Sequence, residues 1–83
     1  MKRIIKGWEH RSWGDNINWI NWEARRLYGL APFRPQVGDQ YQDKMRSGKI
    51  ALFEIVDVKR PGNPRDMFFA TVKDVGYLDE AQP

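Results

Sequence analysis

The sequence predicts an α+β fold: a small, strongly curved antiparallel sheet, of SH3-like or OB-like partial-barrel type, carrying one helix. Three observations predict it. The stretches after Gly48 are apolar and rich in β-branched residues, which suits a pleated, half-buried surface. Between residues 17 and 28, Ile17, Ile20, Ala24, Leu27 and Tyr28 gather within roughly 100° of arc at helical spacing. The chain has 83 residues, and one this short hides only about 60–65% of the surface its unfolded form exposes. Neither half therefore buries a core alone. The expectation is a single domain over 1–83: a basic, Trp-rich strand and helix over 1–36, a three-stranded β meander over 37–76, and an acidic tail over 77–83.

In chain order, residues 2–8 read as an N-terminal strand. Gly14-Asp15-Asn16 reads as a helix start, with Asp15 or Asn16 as the N-cap acceptor. Over 17–28 the helical period wins, because the same apolar positions scatter over both faces at strand spacing. Gly29 suits the residue after the helix, and Pro32 and Pro35 prevent its continuation. Val37-Gly38-Asp39 leads into a strand over 40–45, and Arg46-Ser47-Gly48-Lys49 is a Gly-containing hairpin connection. Over 50–58 one face carries Ala51, Phe53, Ile55 and Asp57. The other carries Ile50, Leu52, Glu54, Val56 and Val58. Both are mostly apolar, which predicts a central strand covered on both sides at least in part. Pro61-Gly62 and Asn63-Pro64 punctuate a loop. From Met67 to Val75 the chain alternates again, with Phe68, Ala70 and Val72 on one side. The tail from Tyr77 is expected to fray. With few strands and short loops, pairing of a sheet edge with a second copy is open, so both monomer and homodimer remain.

Composition narrows the chemistry. The absence of cysteine excludes disulfides, Fe–S clusters, thiol nucleophiles and Cys-based zinc sites. His10 is the sole histidine, so multi-His metal sites and HExxH are absent. No phosphate-loop glycine pattern and no serine-elbow motif is present. Neither cofactor, metal nor catalysis is expected. No apolar run is long enough to span a membrane, and the basic start Met1-Lys2-Arg3-Ile4-Ile5-Lys6 lacks the apolar stretch of a secretory signal. The expected location is the cytoplasm, without a membrane partner.

Charge and aromatics are segregated. Residues 1–49 hold ten basic and five acidic side chains, and residues 50–83 hold four and six. All four tryptophans, Trp8, Trp13, Trp19 and Trp22, fall within 15 positions. On a helix, Trp19 and Trp22 would project away from the apolar stripe, with Arg26 four residues after Trp22 and in reach of a cation–π contact. Such a face suits a protein hot spot or stacked bases. The same rings equally serve a small core, where large aromatics supply buried area. The segment Lys6-Gly7-Trp8-Glu9-His10-Arg11-Ser12-Trp13 interleaves cations with flat rings, the mix a nucleic-acid surface needs. It also fits a strand edge with snorkelling basic stems. Arg60 and Arg65 stand on a proline-stiffened basic loop, which reads as a groove-inserting element or a solvated hairpin tip. Glu54 and Asp57 could serve as a buried base, or pair with an Arg or a backbone donor. Asp15, Asp39 and Asp66 sit at turn or cap positions, where short acceptors bond the local backbone.

Val37-Gly38-Asp39, Lys44-Met45-Arg46-Ser47-Gly48-Lys49, Phe53 and Asp66-Met67-Phe68-Phe69-Ala70 resemble segments of small proteins from bacterial and phage genomes. The resemblance spans the second half only. It implies a compact β module and assigns no activity to any residue.

The functional expectation is a non-catalytic binding module that presents Trp8, Arg11, Trp13, Trp19, Trp22, Arg26, Arg60 and Arg65 to a partner, with a nucleic acid and a protein target weighing nearly equally. The alternative is a small protein-binding inhibitor or adaptor, such as a phage-encoded factor that blocks a host or defence protein.

Overall fold

The computed structural model describes residues 2–62 and 66–79, with the backbone alone at Asp79. The strands are β1 (Ile4–Lys6), β2 (Arg11–Ser12), β3 (Asp15–Asn21), β4 (Arg26–Leu30), β5 (Gln40–Lys44), β6 (Lys49–Lys59) and β7 (Met67–Asp79), with a 3-10 turn at Gly7–Glu9. All seven join one sheet in the order β1-β5-β6-β7-β4-β3-β2. β1 runs parallel to β5, and every other pair is antiparallel. The sheet curls into a half-barrel, and strands make up 61% of the described residues. Among the described residues there is no α-helix, so none is long and apolar enough to cross a membrane.

The α+β expectation is thereby corrected to a mixed β half-barrel. Residues 17–28 form β3, a turn and most of β4. The inward side of this strand pair and the residue that follows it is set by Ile17, Leu27, Gly29 and Ala31, all buried, together with the partly buried Trp19 packed against the core. Ile20, central to the helical stripe, is 51% exposed. The Asn21 side chain accepts the Ala24 N–H at 3.0 Å, and the Trp22 carbonyl accepts the Arg25 N–H at 3.1 Å. Arg25 takes a left-handed φ of 56°. This turn chemistry reverses the chain where a helix would continue it. Gly14, at φ 82°, turns the tip between β2 and β3 and caps no helix. Gly29 lies mid-strand, where a Cβ would collide with the Asn16 carbonyl oxygen.

The meander of β5, β6 and β7 is present. Its hairpin closes as the sequence implied: the Met45 N–H donates to the Lys49 carbonyl at 2.8 Å, and Gly48 adopts φ 86°. β6 is fully covered on one face and partly on the other, where Ile50, Leu52 and Glu54 are half-buried. Ala51, Phe53 and Ile55 are buried with Phe68, Ala70 and Val72, whereas Val56 on the other side is 41% exposed. A register shift between Ile55 and Asp57 turns Asp57 out to solvent and packs Val58 against the core. The tail expectation is corrected as well: Tyr77 and Leu78 pair with Ala51 and Ile50 in β7. Residues 80–83 lie outside the described residues.

The curl brings non-neighbouring strands together. Trp19 on β3 donates its indole N–H to Asp43 on β5 at 2.9 Å, although β4, β7 and β6 lie between them in the sheet. Arg11 on β2 reaches the same carboxylate at 3.9 Å. Two register shifts in the β6–β7 pair supply the bending, since an extra residue increases local twist.

Candidate functional site

An aromatic column runs from the core to one open end of the half-barrel. Tyr41 and Trp19 meet at 5.9 Å, Trp19 and Phe53 at 5.2 Å, and Trp19 and Trp22 at 4.8 Å, each near edge-to-face. Edge-to-face placement sets positive ring edges against negative faces. At the open end the column stops at Trp22, which is 45% exposed. There Trp22, Phe53, Ala51 and Tyr77 line a cleft of about 200 Å³. We call this cleft the mouth.

Cross-strand register explains the lining. Ala51 pairs with Tyr77 and Phe53 with Asp74, and residues paired across strands share a face. The shift between Leu52 and Phe53 leaves Val75 as the extra residue of β7, so both Asp74 and Tyr77 reach the concave side. Arg25 completes the rim. Its guanidinium carbon stands 4.2 Å from the Trp22 ring centroid. Its Nε and Nη2 donate to the two Asp74 oxygens at 2.7 and 3.2 Å, and Nη1 donates to the Trp22 carbonyl. The Arg25 hydrogen bond holds the Asp74 carboxyl below its ordinary range, and Asp74 in turn raises the Arg25 guanidinium. The rim is thus a neutral, planar ion pair beside an exposed ring.

The flank of the mouth is an open sheet edge. β4 pairs with β7 only from Met67 to Thr71, and the Val72 N–H donates to the Arg25 carbonyl at 2.9 Å. Beyond that, among the described residues, β7 is paired only with β6. Along this unpaired stretch Val75, Tyr77 and Leu78 are 53%, 66% and 48% exposed.

The residues anticipated for a site are dispersed. Trp8 is half-buried, with the Lys44 ammonium 4.7 Å from its ring centroid. Arg11 is drawn to Asp43, and Trp19 is committed to the core. Trp13 is fully exposed at the β2–β3 tip. The expected pairing of Arg26 with Trp22 is corrected: Arg25 stands over Trp22, and Arg26 faces solvent from β4. Arg60 donates to the Pro35 carbonyl. Arg65 lies outside the described residues. Glu54 sits half-buried in β6, opposite Gln40 and Lys73 and away from the core. Asp39 acts locally, accepting the Arg3 and Gln36 backbone N–H groups at 3.0 and 2.9 Å. Of the anticipated residues only Trp22 lies at the mouth. Arg25, Asp74 and Tyr77 were missed; Gly76 was the one local sign, since a glycine in an alternating run often marks a bulge, and the register shift falls beside it. No family model, curated protein or solved structure matches the chain.

Proposed function

We propose that this protein is a non-catalytic protein-binding module. It takes an extended segment of a partner along the free edge of β7 and seats one apolar or aromatic side chain in the mouth. A single observation carries this reading. Trp22, Val75 and Tyr77 are all 45% exposed or more and line one cleft, beside the stretch of β7 that, among the described residues, pairs only with β6. Strand addition to such an edge supplies affinity through main-chain hydrogen bonds and selectivity through side-chain pockets. Trp, Tyr and Arg are the residue types that dominate binding energy at protein interfaces.

The nucleic-acid reading needed cations and rings interleaved on one face. At the mouth the cation is already paired with Asp74, which favours a protein over a phosphate backbone there. The test is selection from a displayed library of random linear peptides, followed by affinity measurement on Trp22→Ala and Tyr77→Ala. Each variant is expected to lose at least tenfold in affinity while keeping the wild-type circular-dichroism spectrum. Unchanged affinity in both, or no selected peptide at all, contradicts the reading.

A further inference from the structure

The other end of the long β6–β7 pair has a different character. Lys2, Arg3 and Arg34 line a cleft of about 340 Å³, together with Gln36 and Asp39. Arg34 also lines the adjoining cleft of about 220 Å³, which Arg60 and Phe33 share. Four cations therefore border two clefts that meet at Arg34, a basic depression in two parts. Two carboxylates, Asp39 and Asp66, offset part of this charge, and the four cations still outnumber them. Asp39 is 5% exposed, and its oxygens already accept two backbone N–H groups. Asp66 stands exposed in the second cleft only. Among the described residues, the Lys2 and Arg34 side chains have neither an ion pair nor a hydrogen bond. Arg3 stands over Phe33, its guanidinium carbon 4.3 Å from the ring centroid, and remains exposed.

We infer that this depression binds the backbone of single-stranded nucleic acid. Unpaired cations on a rigid wall attract phosphates. Their spread over two adjoining clefts suits successive phosphates better than one isolated anion. An exposed guanidinium already held flat by a ring offers its outer side to an unstacked base. The inference is independent of the mouth, because none of its residues lines that cleft.

The test is fluorescence anisotropy of labelled oligothymidylate titrated with the full chain. Single strands lose about 0.7 in log–log salt slope per phosphate contacted. Three to four contacts then imply a roughly 20- to 50-fold loss of affinity between about 50 and about 200 mM salt. The double variant Lys2→Ala/Arg34→Ala removes two of the contacts, and its loss over the same range should shrink below about 7-fold. Its melting temperature should match wild type, since both side chains are exposed and bond to nothing described. Trp22→Ala should bind oligothymidylate as wild type does, which separates this site from the mouth. Absence of binding at the lower salt overturns the inference, as does a double variant with unchanged affinity and slope. Tighter binding of a duplex, or of heparin at equal charge, overturns the commitment to single strands.

Discussion

Trp19 and Trp22 are three positions apart and do different work. Trp19 is packed against the core and bonded to Asp43; Trp22 is nearly half exposed beneath Arg25. Trp19→Ala is expected to cost about 3–5 kcal/mol, the range for truncating a packed aromatic. Trp22→Ala should cost about 1–2 kcal/mol, because much of its ring is already in water. Equal losses in chemical denaturation would contradict the division of roles. Tyr41 offers a second check. Its side chain is 1% exposed, and its hydroxyl is buried without a partner among the described groups. Burial pushes the phenol above its ordinary range. The unfolded chain therefore gives up this proton first, near pH 10. The Tyr41 contribution is intact below that pH and is lost as the pH rises beyond it. Tyr41→Phe removes the orphan hydroxyl. It should be neutral or stabilising by up to about 1 kcal/mol at neutral pH, and its stability should fall less steeply above about pH 10. A loss above about 1 kcal/mol at neutral pH would show that the hydroxyl is satisfied.

At the scale of elements, the β3–β4 hairpin depends on Gly29. A Cβ there would meet the Asn16 carbonyl oxygen and approach the Ile17 Cα to 3.0 Å. Both are backbone atoms that cannot swing aside. Gly29→Ala is expected to destabilise by about 1–3 kcal/mol, the usual cost of overpacking; a wild-type melting temperature would sink this account of the strand pair. This hairpin is also where the sequence misled. The helical period counted Ile20, Ala24 and Tyr28 and set Trp19 aside. Counting Trp19 as an inward residue makes Ile17, Trp19, Leu27, Gly29 and Ala31 share one parity, the strand period. Asn21 argued against a continuous helix, since asparagine is a poor helix former and a good turn former. The meander was legible because its alternation runs unbroken through Phe68, Ala70 and Val72, with Gly48 marking the turn. The bulges were not legible. An extra residue at Val56 leaves no local composition signal, and the one at Val75 only the neighbouring Gly76, yet each shifts which side chains face inward.

For the whole molecule, curling decides what becomes a site. A flat sheet with these strands would leave Trp19 far from Asp43 and Trp22 far from Phe53. Closure gathers the rings into one column and leaves two different ends. One is an aromatic mouth with a neutral ion pair and an open strand edge; the other is a basic depression around Arg34. The sequence signalled the ingredients, a Trp cluster and a basic excess in the first half. It did not signal their separation, because the mouth needs Asp74 and Tyr77 from the far end of the chain. The basic end likewise joins Lys2 and Arg3 to Arg34 and Arg60 through tertiary pairing alone. The most direct test of the central claim is amide and indole chemical-shift mapping of the full chain, titrated with a library-selected linear peptide. The account expects the largest shifts at the Trp22 indole and the amides of residues 73–79, with the Trp13 tip and Arg34 unmoved. Shifts concentrated at Trp13 and Arg11, with residues 73–79 silent, would contradict it.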